Sequence, residues 1–129
     1  MNNPRITAKE RNLIKGAIRR VFSRSTYRTA IVLMNRVLQY TDPKRPRVKK
    51  WSKCPLCDEL TPTYLMQVDH IDPIVPIGTT LEDMSWDDVI DRIWCDQNNL
   101  QSICKVCHNI KSKEENKQRR LNKKEKKIA

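Results

Sequence analysis

No run in this sequence approaches the roughly 18 consecutive apolar residues of a membrane span, and Met1 to Thr7 is polar, without the apolar core of a signal peptide. The expectation is a cytoplasmic, intracellular protein with no membrane partner. Aromatic side chains are scarce: three Trp, three Tyr and one Phe among 129 residues. So little bulky apolar material excludes two independent cores, and one small core of this kind calls for a staple. No internal repeat is visible, which excludes a solenoid. Histidine occurs only twice, as His70 and His108.

Basic charge is abundant but unevenly spread, with a formal net charge of +11. Residues 1–53 carry 15 basic and 2 acidic side chains, residues 54–108 carry 2 and 10, and residues 109–129 carry 9 and 3. Two basic arms therefore enclose an acidic centre, a distribution that points to a polyanionic partner such as double-stranded DNA. The arms supply phosphate contacts, whereas a carboxylate-rich centre repels phosphate unless a cation sits there. Most of those acids (Glu82, Asp83, Asp87, Asp88, Asp91) read as the solvated face of a helix, and only Asp69 has a sharper reading.

Along the chain, Thr7-Ala8-Lys9-Glu10 has the form of a capping box, and Ile14, Ile18, Val21 and Phe22 follow at helical spacing, predicting a helix over about 8–22. Arg11, Lys15, Arg19 and Arg20 fall largely off its apolar stripe and can face phosphates. A second helix is predicted over about Thr26 to Tyr40, completing a helical hairpin. Residues 41–50, with two prolines and Lys44, Arg45, Arg47, Lys49 and Lys50, read as an extended basic linker that can follow a groove. Tyr64 to Val68 reads as a strand leading into Asp69-His70, and Trp86 to Trp94 as a short amphipathic helix with Ser85 as its N-cap. The final run is polar and helix-forming, ending as either a DNA-bound helix or a disordered tail.

Cys54-x-x-Cys57 and Cys104-x-x-Cys107 supply four thiolates, the number that closes a tetrahedral structural zinc site. In a reducing compartment such pairs are metal ligands before they are disulfides. Cys95 is left over and reads as a small core residue. The segment between the pairs is tied off as a closed unit, and there the chemistry should lie.

Taken in order, Cys54-x-x-Cys57, Asp69-His70-Ile71, Asn99-Leu100-Gln101 and Cys104-x-x-Cys107-His108-Asn109-Ile110-Lys111-Ser112 resemble the HNH endonucleases, in the branch with a four-cysteine zinc site. The resemblance covers about half the chain. It implies an α+β protein: a small ββα-metal core with a structural zinc held by four cysteines, preceded by the N-terminal helical hairpin and followed by a basic C-terminal helix or tail. The corresponding division is 1–50 for the basic DNA-binding arm and linker, 51–117 for the nuclease core, and 118–129 for the basic tail.

The resemblance further implies that His70 is the general base that activates water, that Asp69 and His108 hold a catalytic Mg²⁺ or Mn²⁺, and that Asn99 holds the His70 loop. Imidazole titrates near neutrality, which suits the first role. Two protein ligands, with water and phosphate oxygens completing the shell, suit a hard divalent ion. Lys111, one helical turn after His108, is placed to reach a phosphate. Asn98 can replace Asn99 in a shifted register. Two departures stand out: the stretch from His70 to Asn99 is long, with an inserted helix, and Ser112 stands where some members place a further metal-binding histidine.

The function expected is hydrolysis of DNA phosphodiesters by a nicking or homing-type enzyme of phage or mobile-element type, acting in a bacterial host. The competing expectation is a non-catalytic zinc-containing DNA-binding module, which fits the cysteines and the charge but has no need of the Asp69, His70, Asn99 and His108 set. An RNA-directed protein of either kind is a third option. A single site of this type acts on one strand per visit, so cutting both strands needs a homodimer or two successive events. Nothing in the sequence fixes the oligomeric state.

Overall fold

The computed structural model describes residues 5–128; Met1 to Pro4 and Ala129, the outer edges of the expected arm and tail, lie outside the described residues. Those residues form an α+β fold of four α-helices and short antiparallel strands. Among them no helix is long and apolar enough to cross a membrane.

Helix α1 (Ala8–Ser23) begins at the capping box read from the sequence: Glu10 N–H donates to Thr7 Oγ1 at 3.1 Å, and Thr7 N–H donates to Glu10 Oε1 at 3.0 Å. Two residues later Ser25 caps α2 (Thr26–Leu33), its Oγ accepting from Arg28 N–H at 3.1 Å. Helix α2 ends at Leu33, short of the Tyr40 that the periodicity predicts. Asn35 makes the difference. Its Nδ2 donates to the Ser102 carbonyl at 3.0 Å, and its own carbonyl accepts from Lys53 N–H at 2.9 Å, so the chain turns to pair as a strand. Tertiary hydrogen bonding thus overrides a helical pattern in Val37 and Leu38.

The strand so formed, β1 (Arg36–Val37), lies beside β2 (Trp51–Lys53), which pairs with β3 (Leu60–Pro62) in a three-stranded antiparallel sheet. The basic segment between β1 and β2 is not extended as expected. Arg45 N–H donates to the Asp42 carbonyl at 3.0 Å and Val48 N–H to the Arg45 carbonyl at 3.1 Å, folding it into two successive turns. Asp42 drives the first by also accepting from Lys44 N–H at 2.9 Å, the local competition with extended backbone typical of Asp before proline.

After β3, Thr63–Leu65 forms a single 3-10 turn, so the predicted strand over Tyr64 to Val68 starts later, as β4 (Gln67–His70), and carries Asp69 and His70 within it. Strand β4 pairs antiparallel with β5 (Leu100–Ile103), with Asp69 opposite Gln101 and His70 opposite Leu100. Between them lies α3 (Trp86–Ile93), capped by Ser85, whose Oγ accepts from Asp88 N–H at 3.1 Å. Helix α3 is no surface appendage. Val89 and Ile93 are fully buried with Phe22 and Ile31 from the hairpin, Ile74, Met84 and Leu100 in one core. The hairpin and helix α3 therefore share a core with the strand pair.

Helix α4 (Lys105–Ile128) follows β5 after Cys104 alone and runs across the expected boundary at 117 without a break. At 24 residues it is about 36 Å long. Its far half is tied down: Arg119 donates to the Val75 carbonyl, and Lys126 Nζ to the Gly78 carbonyl at 2.8 Å. Gly78, at φ +90°, takes a backbone conformation that glycine tolerates best.

Candidate active site and metal centre

The four cysteines converge. The Sγ atoms of Cys54, Cys57, Cys104 and Cys107 lie within 4.8 Å of one another, and Cys57 Sγ stands 3.7 Å from Cys104 Sγ. A tetrahedron built on zinc–sulfur bonds of about 2.3 Å has sulfur–sulfur edges of roughly 3.8 Å, so the tetrad could hold a metal ion such as zinc. The local fold prepares it. Asp58, at φ +62°, closes the Cys54–Cys57 turn, with its N–H donating to the Cys54 carbonyl at 2.8 Å. Cys107 N–H, in the first turn of α4, points at Cys104 Sγ at 3.5 Å, and Cys104 N–H at Cys54 Sγ at 3.4 Å.

Burial raises the Cys54 thiol, but N–H donors from Cys104, Leu56 and Cys57 outweigh it and bring its pKa down to about 6. Cys107 goes the other way, pushed up to about 12 by burial and by its sulfur neighbours. Four thiolates so close together need a cation between them. Cys95 stands apart from the tetrad, as expected, with its carbonyl accepting from Tyr27 Oη and its Sγ 3.5 Å from Asn99 Nδ2.

On another side of β4 a cleft of about 480 Å³ gathers Asp69, His70, His108 and, from the helices, Lys15, Arg19 and Arg119. His70 is half-buried against Phe22, ring centroids 5.7 Å apart, and its Nε2 lies 2.8 Å from the Ile93 carbonyl oxygen at the end of α3. A carbonyl only accepts, so Nε2 carries the proton and Nδ1 is left with a lone pair. Burial pushes the His70 pKa below the ordinary imidazole value, against the opposing effect of the Ile93 bond, and the neutral ring is favoured.

Asp69 is buried, and its Oδ2 accepts from Gln101 Nε2 across the strand pair at 2.9 Å. The same oxygen lies 3.2 Å from Lys111 Nζ. Lys111 also donates to the His70 carbonyl at 3.0 Å and to Glu115 one turn along α4. Burial works against this ammonium, but Glu115 and Asp69 more than offset it and its pKa is raised. Lys111 is thus turned toward the carboxylates, whereas Glu115, Ser112 and Arg119 line the cleft with His108.

Asn99, in the 3-10 turn Gln97–Asn99, clasps the chain just after His70. Its Oδ1 accepts from Asp72 N–H at 2.7 Å, its Nδ2 donates to the Asp72 carbonyl at 3.2 Å, and its own carbonyl accepts from Ile71 N–H at 2.8 Å. Asn98 instead bonds locally, its N–H donating to Asp96 Oδ1 at 2.9 Å. Arg92 of α3 reinforces the loop through Asp72 Oδ2 at 2.8 Å and the Pro73 and Ile74 carbonyls.

The basic residues singled out in the sequence divide between two surfaces. Lys15 and Arg19 stand at the cleft, and burial together with Arg19 and Arg119 pushes the Lys15 ammonium below the ordinary lysine value. Arg20 is exposed on the same helix, whereas Arg11, also expected to face outward, is buried. Arg47, Lys49 and Lys50 are exposed around a separate groove with Arg28 and Tyr64, and Lys44 and Arg45 are exposed on the turns that precede it. Sequence reasoning missed Glu115 and Arg119, although their signal was present: His108, Ser112, Glu115 and Arg119 follow the spacing of a single helix face.

Comparison of the chain with protein-family models, with curated proteins and with solved structures gave no significant match.

Proposed function

We propose that this chain is a metal-dependent endonuclease of the HNH type that hydrolyses DNA phosphodiester bonds, with β4, β5 and α4 as its ββα core and the cysteine tetrad as a structural zinc site. The observation that carries the reading is the state of His70: an imidazole in a cation-lined cleft, with Nε2 engaged by Ile93 and Nδ1 available as a base. In the proposed reaction a water attacks phosphorus as His70 Nδ1 accepts its proton, and the bond from phosphorus to the leaving sugar oxygen breaks. Asp69 and His108 would hold the divalent ion, Mg²⁺ or Mn²⁺; a carboxylate and an imidazole at one cleft are a donor set that fits it. Such an ion, when bound, stabilises charge developing on the phosphate oxygens. Lys15, Arg19 and Arg119 would neutralise the backbone of a DNA strand entering the cleft.

One observation favours a second reading, a non-catalytic zinc-bearing DNA-binding module: Lys111 Nζ, 3.2 Å from Asp69 Oδ2, gives that carboxylate a counter-ion from the protein itself. Incubation of supercoiled plasmid with Mg²⁺, Mn²⁺ or EDTA separates the two. Nicking that needs metal and disappears in His70→Ala supports the nuclease; tight DNA binding with no cutting under any metal supports the module.

A further inference from the structure

Lys111 leaves α4 one turn beyond His108, yet its ammonium faces away from solvent. Nζ stands 3.2 Å from Asp69 Oδ2 and 3.0 Å from the His70 carbonyl, and it also donates to Glu115 Oε1. The Lys111, Asp69 and Glu115 side chains are 21%, 10% and 25% exposed, so solvent screens the cluster poorly. A single positive group thus bridges two carboxylates and a carbonyl oxygen, the oxygen-rich surroundings that a hard divalent ion also prefers.

An ammonium and a divalent ion cannot share Asp69 cheaply. Charges of one and two units a few ångströms apart repel strongly where screening is weak, and both draw on the same carboxylate. The lysine stem is flexible, so its head can leave while the backbone of α4 stays fixed.

We propose that the Lys111 ammonium is a tethered counter-ion that holds Asp69 and Glu115 in the metal-free protein, and that a divalent ion takes its place and frees Lys111 for the substrate phosphate. The proposal rests on the reading of the cleft as a nuclease site. It adds Glu115 as a third protein ligand and an order of events, metal before the Lys111–phosphate contact. It also gives Lys111 two successive partners where the sequence alone suggested one.

The test is a titration of the full-length, zinc-loaded protein with Mg²⁺, followed by NMR of the lysine side-chain ammonium groups and of the Asp69 and His108 signals. The expected result is loss of the Lys111 ammonium signal from its metal-free position at the same midpoint as the Asp69 and His108 shifts. Saturation at Asp69 and His108 with the Lys111 signal unmoved would overturn this proposal alone. No Mg²⁺-dependent shift at Asp69 or His108 overturns it together with the metal site. Mn²⁺ affinity by electron paramagnetic resonance gives a second measure: Lys111→Met should bind about tenfold more tightly, within the usual range of coupling between two sites, and Lys111→Met/Glu115→Gln less tightly than Lys111→Met. Unchanged or weaker binding by Lys111→Met overturns the exchange.

Discussion

Nε2 of His70 lies 2.8 Å from the carbonyl oxygen of Ile93, a residue 23 positions further along the chain. Helix α3 therefore fixes which nitrogen of the candidate base is free. The tautomer of His70 depends on a segment that carries no chemistry of its own. His70→Ala is expected to lower plasmid nicking by at least about 10²-fold, the usual contribution of a general base, while DNA affinity in a gel-shift titration stays within error of the unaltered protein.

Ile93 is fully buried, and truncating it opens a cavity at the end of α3. Ile93→Ala should cost about 2–5 kcal/mol, read as a shift in the urea midpoint with little change in slope. A surface helix would tolerate the same substitution, so a cost below about 0.5 kcal/mol would place α3 outside the core.

Asn99 satisfies both backbone groups of Asp72 with one side-chain amide. Asn99→Ala leaves them without that partner and should cost about 1–3 kcal/mol. Faster amide exchange at Ile71 and Asp72, with little change in β2, is the measurement that assigns the loss to this loop. Asn98→Ala, which lacks the clasp, should leave exchange at Asp72 unaltered.

Zinc content measured by mass spectrometry should be one ion per chain, and chelation should abolish cooperative thermal unfolding, because structural zinc contributes folding free energy directly. Cys104→Ser should lose the ion, whereas Cys95→Ser should keep it. With zinc bound, the four sulfurs would carry fewer protons than in the unfolded chain, so stability from this site should rise with pH and fall on acidification. A fold that keeps its stability with the zinc stripped away would remove the staple from the account.

Arg19 and Arg119 reach the same cleft from opposite ends of the sequence. Each Arg→Ala variant should weaken DNA binding at all sequences alike and reduce the slope of log affinity against log salt by about one. Arg47→Ala, at the separate groove, reports whether a second stretch of backbone is held; an unchanged slope there would confine the DNA to the cleft.

The sequence made some of this legible and hid the rest for identifiable reasons. Helix starts were readable because Thr7 and Ser85 announce them through side chains that act within three residues. The tetrad was readable because Cys-x-x-Cys spacing is itself the geometry of a turn. The end of α2 was not, since Asn35 is claimed by Ser102 and Lys53, which are distant in sequence. The turns over 42–48 were hidden by a basic run that invites an extended reading, although Asp42 carried the signal. Asp69, His70, Asn99 and His108 were singled out by their order in the sequence, but the Ile93 carbonyl beside His70 could not be, because any residue supplies one. Lys111 was placed on the right helix turn and given only one of its two possible neighbours, phosphate rather than carboxylate, since charge alone does not choose between them.

Helix α4 has one more consequence. Cys107, His108, Glu115, Arg119 and Lys126 all belong to a single unbroken rod whose first turn carries a cysteine of the tetrad and whose far half is tied to the Val75 and Gly78 carbonyls. The distance from the candidate site residues to these carbonyl ties is therefore set by helical rise, like marks on a ruler, and cannot be tuned by loop flexibility. One residue inserted after Glu115 would turn everything beyond it by about 100°, carrying Arg119 and Lys126 away from the Val75 and Gly78 carbonyls while Cys107 and His108 keep their places.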